Sequence, residues 1–254
     1  MGVRLEIYGG TDRIGNREAV ERINLDAGDI LAVVGPTGSG KSELLADIEQ
    51  LADGDTPSRR IVRLLVNGSA PDACLRASSV VATLSQRTNF IMDITVGGFV
   101  DMHAASLHKE SGAWADEVVL LANTLCGEPM RENSLLQRLS GGQTRALMIA
   151  DIALMSDAPV VLIDEVENAG IDKHQALSVL CGYGKITVMA THDPILMLSS
   201  PARLVMSEGG MRSLVAVSPE EEKCRATLSA LDAKLLYARE LLRKGGTIQE
   251  EYFA

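Results

Sequence analysis

The chain reads as an α/β protein organised around a parallel sheet, and three features of its sequence predict this. Short apolar runs rich in β-branched residues recur along it, helical patterns alternate with them, and a Gly-rich turn joins one run directly to a helix. A strand covered on both faces is apolar throughout rather than alternating, as helices on both sides of a parallel sheet require.

Ile30-Leu-Ala-Val-Val34 is one such run, followed by the turn and a helix starting near Lys41. The segments 61–66 and 80–84 read as further strands. From about Thr95 to Asn133 the pattern turns helical, with Leu120, Leu121 and Leu125 near helical spacing. A helix from about Gly142 to Met155 then leads into the apolar strand Val160-Val-Leu-Ile163, and Ile186–Ala190 forms another strand after a short helix. The expected organisation is one α/β unit over 1–217, with a helical insertion at about 87–138, and a C-terminal helical extension over 218–254.

Composition narrows the function. At 254 residues the chain can bury a sizeable core, and it has the 46% hydrophobic and 23% charged content of a globular protein. The formal net charge of −10 and an aromatic content of 3% argue against nucleic acid, whose phosphates would be repelled and whose bases would find few stacking partners. Cys74, Cys126, Cys181 and Cys224 lie far apart in sequence, which favours isolated reduced thiols over a metal or redox motif. The N-terminal residues carry no signal-peptide pattern, and no apolar stretch reaches the roughly 20 residues that span a bilayer. The expected location is cytoplasmic, with any membrane-spanning part supplied by another chain.

Gly35, Pro36, Thr37, Gly38, Ser39, Gly40, Lys41 and Ser42 match GxxxxGK[ST] at every fixed position, between a strand and a helix. Glycines let the backbone wrap a phosphate with its N–H groups, and the helix that follows turns the positive end of its dipole toward the anion. Lys41 supplies charge to the β- and γ-phosphates, and the Ser42 hydroxyl is a Mg²⁺ ligand. At the end of Val160-Val-Leu-Ile-Asp164-Glu165, Asp164 faces the metal through its water shell, while Glu165 stands where a base orients and deprotonates an attacking water.

Between these motifs lies Leu139-Ser140-Gly141-Gly142-Gln143. In this order the three segments resemble the ABC (ATP-binding cassette) ATPases, over about residues 3 to 216. The resemblance implies a P-loop NTPase cassette: a RecA-like parallel-sheet core, an N-terminal antiparallel β subdomain, an inserted helical subdomain and a C-terminal helix. It assigns Gln86 to the loop that senses the γ-phosphate and Mg²⁺, with Ser42 and Asp164 as its companions around the metal. It makes His192 a switch residue on the γ-phosphate, and Tyr8 an aromatic that stacks on adenine. Glu165, His192, Lys41 and Gln86 are then the catalytic set, with ATP and Mg²⁺ as the bound species.

The signature further implies a homodimer or paired cassette, in which Ser140, Gly141, Gly142 and Gln143 of one subunit close over ATP held by the other. Two outputs fit such an engine: driving a separate membrane permease, or activating a soluble client enzyme. One segment departs from the family. Glu165-Val-Glu-Asn-Ala-Gly-Ile-Asp172 is one residue longer than usual and lacks the Pro-Thr that ordinarily follows the glutamate; altered contacts between protomers and a plain surface bulge both remain open.

The tail begins with an N-cap at Ser218, Pro219 and an acidic first turn, and ends at Gly245-Gly246. Cys224, Leu228, Leu231, Leu235, Ala238 and Leu242 recur at spacings of four and three. That stripe could pair with a partner helix; the commoner outcome, packing on the helix's own domain, is the expectation, because fewer than three heptads are present.

Overall fold

The computed structural model describes residues 2–69, 80–85, 90, 92–109, 112–164 and 170–249. Among them β3 (Ile30–Val34), β5 (Val81–Ser85), β6 (Val160–Asp164), β7 (Ile186–Ala190), β8 (Ala202–Ser207) and β9 (Gly210–Ala216) form one sheet, in the order β5-β6-β7-β3-β8-β9. All neighbours pair parallel except β8 and β9, which form an antiparallel hairpin with a register shift between Val205 and Met206. That edge hairpin is the one part of the sheet that the apolar runs do not reveal. Its outer strand alternates buried and exposed positions, and a half-solvated strand lacks a continuous apolar signature.

The central strands are buried on both faces, and successive residues serve opposite layers. Leu31 and Val33 join Leu44, Ile48, Leu162 and Val188 on one side. Ala32 and Val34 join Leu84, Val161, Ile163 and Met189 on the other. The first side is closed by α1 (Lys41–Glu49) and by a three-stranded antiparallel sheet of β2 (Arg22–Asp26), β1 (Val3–Tyr8) and β4 (Ile61–Val66). In this small sheet Leu5 and Ile7 are buried, and Leu5 pairs with Leu25 and Leu64. The antiparallel β subdomain and the parallel core implied by the family resemblance are therefore both present.

The second side carries α2 (Val96–Ser106), α3 (Trp114–Leu125), α4 (Gly141–Leu154) and α5 (Lys173–Gly182). Among the described residues the helical pattern of the insertion comprises α2 and α3. Leu125 is buried against this core, whereas Leu120 is 72% exposed, so the near-helical leucine spacing there does not mark a single inward face. Helix α2 starts with Thr95 as N-cap, its Oγ1 accepting from the Gly98 amide. The imidazole Nδ1 of His103 on α2 lies 2.8 Å from Oδ1 of Asp151 on α4, tying the insertion to the longer helix behind it.

Helix α7 (Pro219–Arg243) begins as its sequence indicates, with Ser218 and Glu221 in a reciprocal cap: the Glu221 amide donates to Ser218 Oγ, and the Ser218 amide to Glu221 Oε2. The expectation that its stripe packs on its own domain is not met. Ala238 is buried, but Leu231, Leu235 and Leu242 are each about half exposed. Helix α7 leaves the body of the protein near α6 (Pro194–Met197), so its apolar face has too little of its own domain beneath it.

The hydrogen bond from Asp151 raises the His103 imidazole above its ordinary value of 6.5, against opposing contributions from burial and the nearby Lys109. A raised folded-state value means that this contact stabilises the protein fully below pH 6.5 and loses that effect as the pH climbs through the raised value. The thermal midpoint should therefore fall over that range more steeply in the parent than in His103→Gln; parallel pH profiles would contradict the assignment.

Candidate functional site

Strand β3 delivers the backbone to Gly35 at one edge of the sheet. The turn there has no room for side chains at two of its glycines. A Cβ on Gly35 (φ 152°) would lie 2.5 Å from the Met206 carbonyl oxygen, and one on Gly40 (φ 101°) 2.7 Å from the Gly209 Cα. Both collisions are with backbone, so only glycine closes the loop against the β8–β9 turn.

What that closure leaves is a ring of unsatisfied donors. Gly40 is the N-cap of α1 and gives the helix no side-chain cap. Among the described residues, the amides of Gly38, Gly40, Lys41 and Ser42 have no acceptor. Ser39 Oγ is buried without a hydrogen-bond partner. Buried or helix-terminal donors left in this way call for an anion with several acceptor oxygens, and a polyphosphate fits the set. Lys41 Nζ is held at the mouth of the loop by the carbonyl oxygens of Gly35 (2.8 Å) and Pro36 (3.3 Å), where it adds a full positive charge.

Strand register brings the remaining elements to the same edge. Val33 pairs with Ala190, Ala190 with Asp164, and Asp164 with Ser85. The strands are parallel, so Val33, Ala190, Asp164 and Ser85 lie together at the edge where the P-loop begins, with neighbouring strands about 4.8 Å apart. Half-buried Asp164 ends β6 there. Thr191 and exposed His192 follow β7, with the Thr191 amide donating to the Val33 carbonyl oxygen at 3.2 Å. Gln86 follows Ser85 and Glu165 follows Asp164 in the chain, and both lie outside the described residues, as do positions 166–169 of the lengthened loop.

Two residues not foreseen in the sequence steady this edge. Lys173, at the start of α5, is ion-paired to Asp193, the residue after His192. Burial alone would raise the Asp193 carboxyl, but the Lys173 hydrogen bond and the Ile195 and Leu196 amides outweigh it and hold the carboxyl below its usual range. Gly209, in the β8–β9 turn, donates its amide to the Ser39 carbonyl oxygen at 2.9 Å. Glu208-Gly209-Gly210 carries a turn signal in sequence, but nothing there connects the turn to the P-loop.

Ser140 and Gln143 cap α4 reciprocally: the Gln143 amide donates to Ser140 Oγ at 3.3 Å, and the Ser140 amide to Gln143 Oε1 at 2.9 Å. The Gln143 side-chain nitrogen is further engaged by the carbonyl oxygens of Glu128 and Pro129. A Cβ on Gly141 would meet nothing within 4 Å, and one on Gly170 would lie 3.7 Å from the Gly142 Cα. No hydrogen bond among the described residues joins 140–143 to 35–42. The helix start therefore offers its donors outward rather than to the chain's own P-loop.

Tyr8 lies within β1, opposite Arg22 and Ile61. Its hydroxyl donates to Glu6 Oε2 at 2.7 Å, and the guanidinium carbons of Arg22 and Arg63 lie 5.0 and 5.7 Å from its ring centroid. Its contacts among the described residues are thus with the small sheet, not with the loop.

Fold and loop together define a P-loop nucleotide-binding protein. The comparisons narrow this class. The model of the family described as ABC transporter matches residues 21–168. An uncharacterized ABC transporter ATP-binding protein of Methanocaldococcus jannaschii is 48% identical over 250 residues, covering 97% of this chain and 95% of that one. The macrolide export ATP-binding/permease protein MacB of Psychrobacter arcticus is 29% identical over 194 residues, which are 74% of this chain but only 29% of MacB. Among solved structures, CbiO1 of Clostridium perfringens, part of an ABC transporter complex, superposes with a TM-score of 0.61 at 20% identity, over 95% of this chain and 96% of that one, a likeness of fold. The chain belongs to the ABC transporter family and is an ATP-binding, ATP-hydrolysing cassette.

Gly40→Ala brings both a disfavoured φ and a backbone collision, and should lower the unfolding free energy by about 2 kcal/mol while abolishing nucleotide binding. Chemical denaturation and ADP titration of the purified variant check this; unchanged ADP affinity would remove the Gly40–Gly209 contact from the site.

Proposed function

We propose that the chain is the ATP-hydrolysing subunit of a transporter whose membrane-spanning part is a separate permease, and that it works as a pair of cassettes on the cytoplasmic face of the membrane. The observation that carries the paired state is the start of α4: the amides of Gly141 and Gly142 have no acceptor among the described residues, and no hydrogen bond there joins them to the chain's own phosphate loop. A helix N-terminus placed in this way gains most by closing over phosphate held on a second copy. In support of this reading, the Methanocaldococcus jannaschii relative, matched over 95% of its length, is named as an ABC transporter ATP-binding protein.

In this reading the amides of Gly38, Gly40, Lys41 and Ser42 bind the β- and γ-phosphate oxygens, and Lys41 turns from its loop carbonyls to neutralise them. Ser42 and Asp164 hold Mg²⁺, with Gln86 nearby in sequence after β5; the ion, when bound, offsets charge on the phosphate oxygens. The donor set suits it, being hard oxygen ligands without histidine or cysteine, few enough to leave room for water and phosphate. Glu165 accepts a proton from water as the water oxygen bonds to the γ-phosphorus and the bond to the bridging oxygen breaks. His192 donates to the γ-phosphate, its loop steadied by the Lys173–Asp193 pair. Charge lost with the released phosphate removes what holds the two copies together, and the pair opens. Motion of the paired cassettes, passed through α2 and α3 to the permease, is the output.

Glu165→Gln should retain ATP binding and lose at least about a hundredfold in turnover. Unchanged turnover would remove Glu165 from the base role. Membranes from the native cell, solubilised in mild detergent, should yield this chain with a polytopic partner; recovery only from the soluble fraction, bound to a soluble enzyme, would contradict the transporter reading.

A further inference from the structure

The largest fully buried side chain among the described residues is a charged one, Arg60. Its guanidinium, with no exposed surface, sits between the carboxylates of Glu18 and Asp47, themselves 0% and 2% exposed. Arg60 Nη2 lies 2.6 Å from Glu18 Oε1, and Nη1 lies 2.9 Å from Asp47 Oδ2. The carboxylates are fully employed. Glu18 also accepts from the Met211 amide at 2.7 Å and the Gly10 amide at 2.8 Å, and Asp47 accepts from Ser58 Oγ at 2.7 Å. Two buried acids around one base are costly to desolvate, and an apolar cluster of the same volume would stabilise the fold at least as well. The cost needs a reason other than stability.

The reason lies in what else Arg60 holds. Arg60 Nη2 donates to the Gly209 carbonyl oxygen at 2.6 Å, and the Gly209 amide donates in turn to the Ser39 carbonyl oxygen at 2.9 Å. Asp47 belongs to α1, the helix that the P-loop opens. The guanidinium thus grips the P-loop from two sides, through its helix and through the turn packed against Gly40. A trans peptide points its C=O and N–H in opposite directions. Holding the Ser39 carbonyl toward Gly209 therefore turns the Gly40 N–H away from Gly209, into the ring of open donors.

We infer that Arg60 is a positioning residue for nucleotide binding: with Glu18 and Asp47 it fixes the Ser39–Gly40 peptide through Gly209, and so aims the Gly40 amide at a phosphate oxygen. It makes no contact with the nucleotide itself. The inference rests on the reading of residues 35–42 as the phosphate cradle.

The test is ATPase kinetics of the purified full chain, with thermal unfolding and ADP titration alongside. Arg60→Met alone strands two buried carboxylates, so the informative variant is the neutral combination Arg60→Met, Glu18→Gln and Asp47→Asn, which keeps volume and removes charge. The expected result is a rise of about tenfold in KM for ATP and in Kd for ADP, the effect of one misdirected charge-assisted hydrogen bond, with kcat within about twofold. A purely structural network would lower the thermal midpoint and leave KM and Kd unmoved, and that outcome overturns the inference.

If the combination does not fold, Arg60→Lys keeps the charge balance but loses the planar fork, and the same rise in KM is expected from it; an unchanged KM there is equally fatal. Lys41→Ala serves as the control for the underlying reading. Undiminished ADP affinity in Lys41→Ala would mean that the cradle is misassigned, whereas lost affinity there with an unmoved neutral combination would sink only the role of Arg60.

Discussion

The site depends on one constraint, the in-register parallel pairing of β3, β7, β6 and β5. Parallel strands end at the same edge, and an unshifted register makes them end together, at Val33–Val34, Ala190, Asp164 and Ser85. A slip of one residue in any pair would turn that strand's side chains to the opposite layer. It would exchange Leu162 and Ile163, or Val188 and Met189, between two well-packed cores. Hydrophobic packing on both faces therefore fixes where the polar chemistry emerges, even though no polar residue takes part in it.

A second constraint works in the opposite sense. The P-loop is held from outside the sheet by polar contacts, from Gly209 and, behind it, the buried Arg60 cluster. Apolar packing tolerates small shifts, but a bidentate guanidinium with fixed partners does not. The protein thus uses burial to set the strands and a charged cluster to set one peptide at their end. The antiparallel small sheet becomes part of the site through this route, since Glu18 and Arg60 both belong to segments flanking its strands.

The legibility of the sequence follows from these physics. Strands β3, β6 and β7 stood out because two covered faces leave them almost wholly apolar, with Thr187 the polar exception inside β7, and the P-loop because its phosphate chemistry fixes residue types at fixed spacing. The start of α7 was legible because a cap is local. What could not be read was non-local. Arg59-Arg60 looks like a solvated pair of charges, and only the packing of distant segments buries Arg60 and leaves Arg59 outside. Lys173 and Asp193, separated by two elements, meet for the same reason. The stripe on α7 misled in the other direction, because periodicity records an apolar face without recording what lies opposite it.

We propose that ATP is hydrolysed at sites shared between two copies, with Lys41 from one and Ser140 from the other. Mixing purified Lys41→Ala with Ser140→Ala tests it most directly. Each variant alone lacks one half of both sites, whereas a mixed pair has one site with both halves intact. ATPase activity that neither variant shows alone should appear on mixing and vary with the mixing ratio. A mixture no more active than its components, with mixed pairs shown to form, would contradict the shared site.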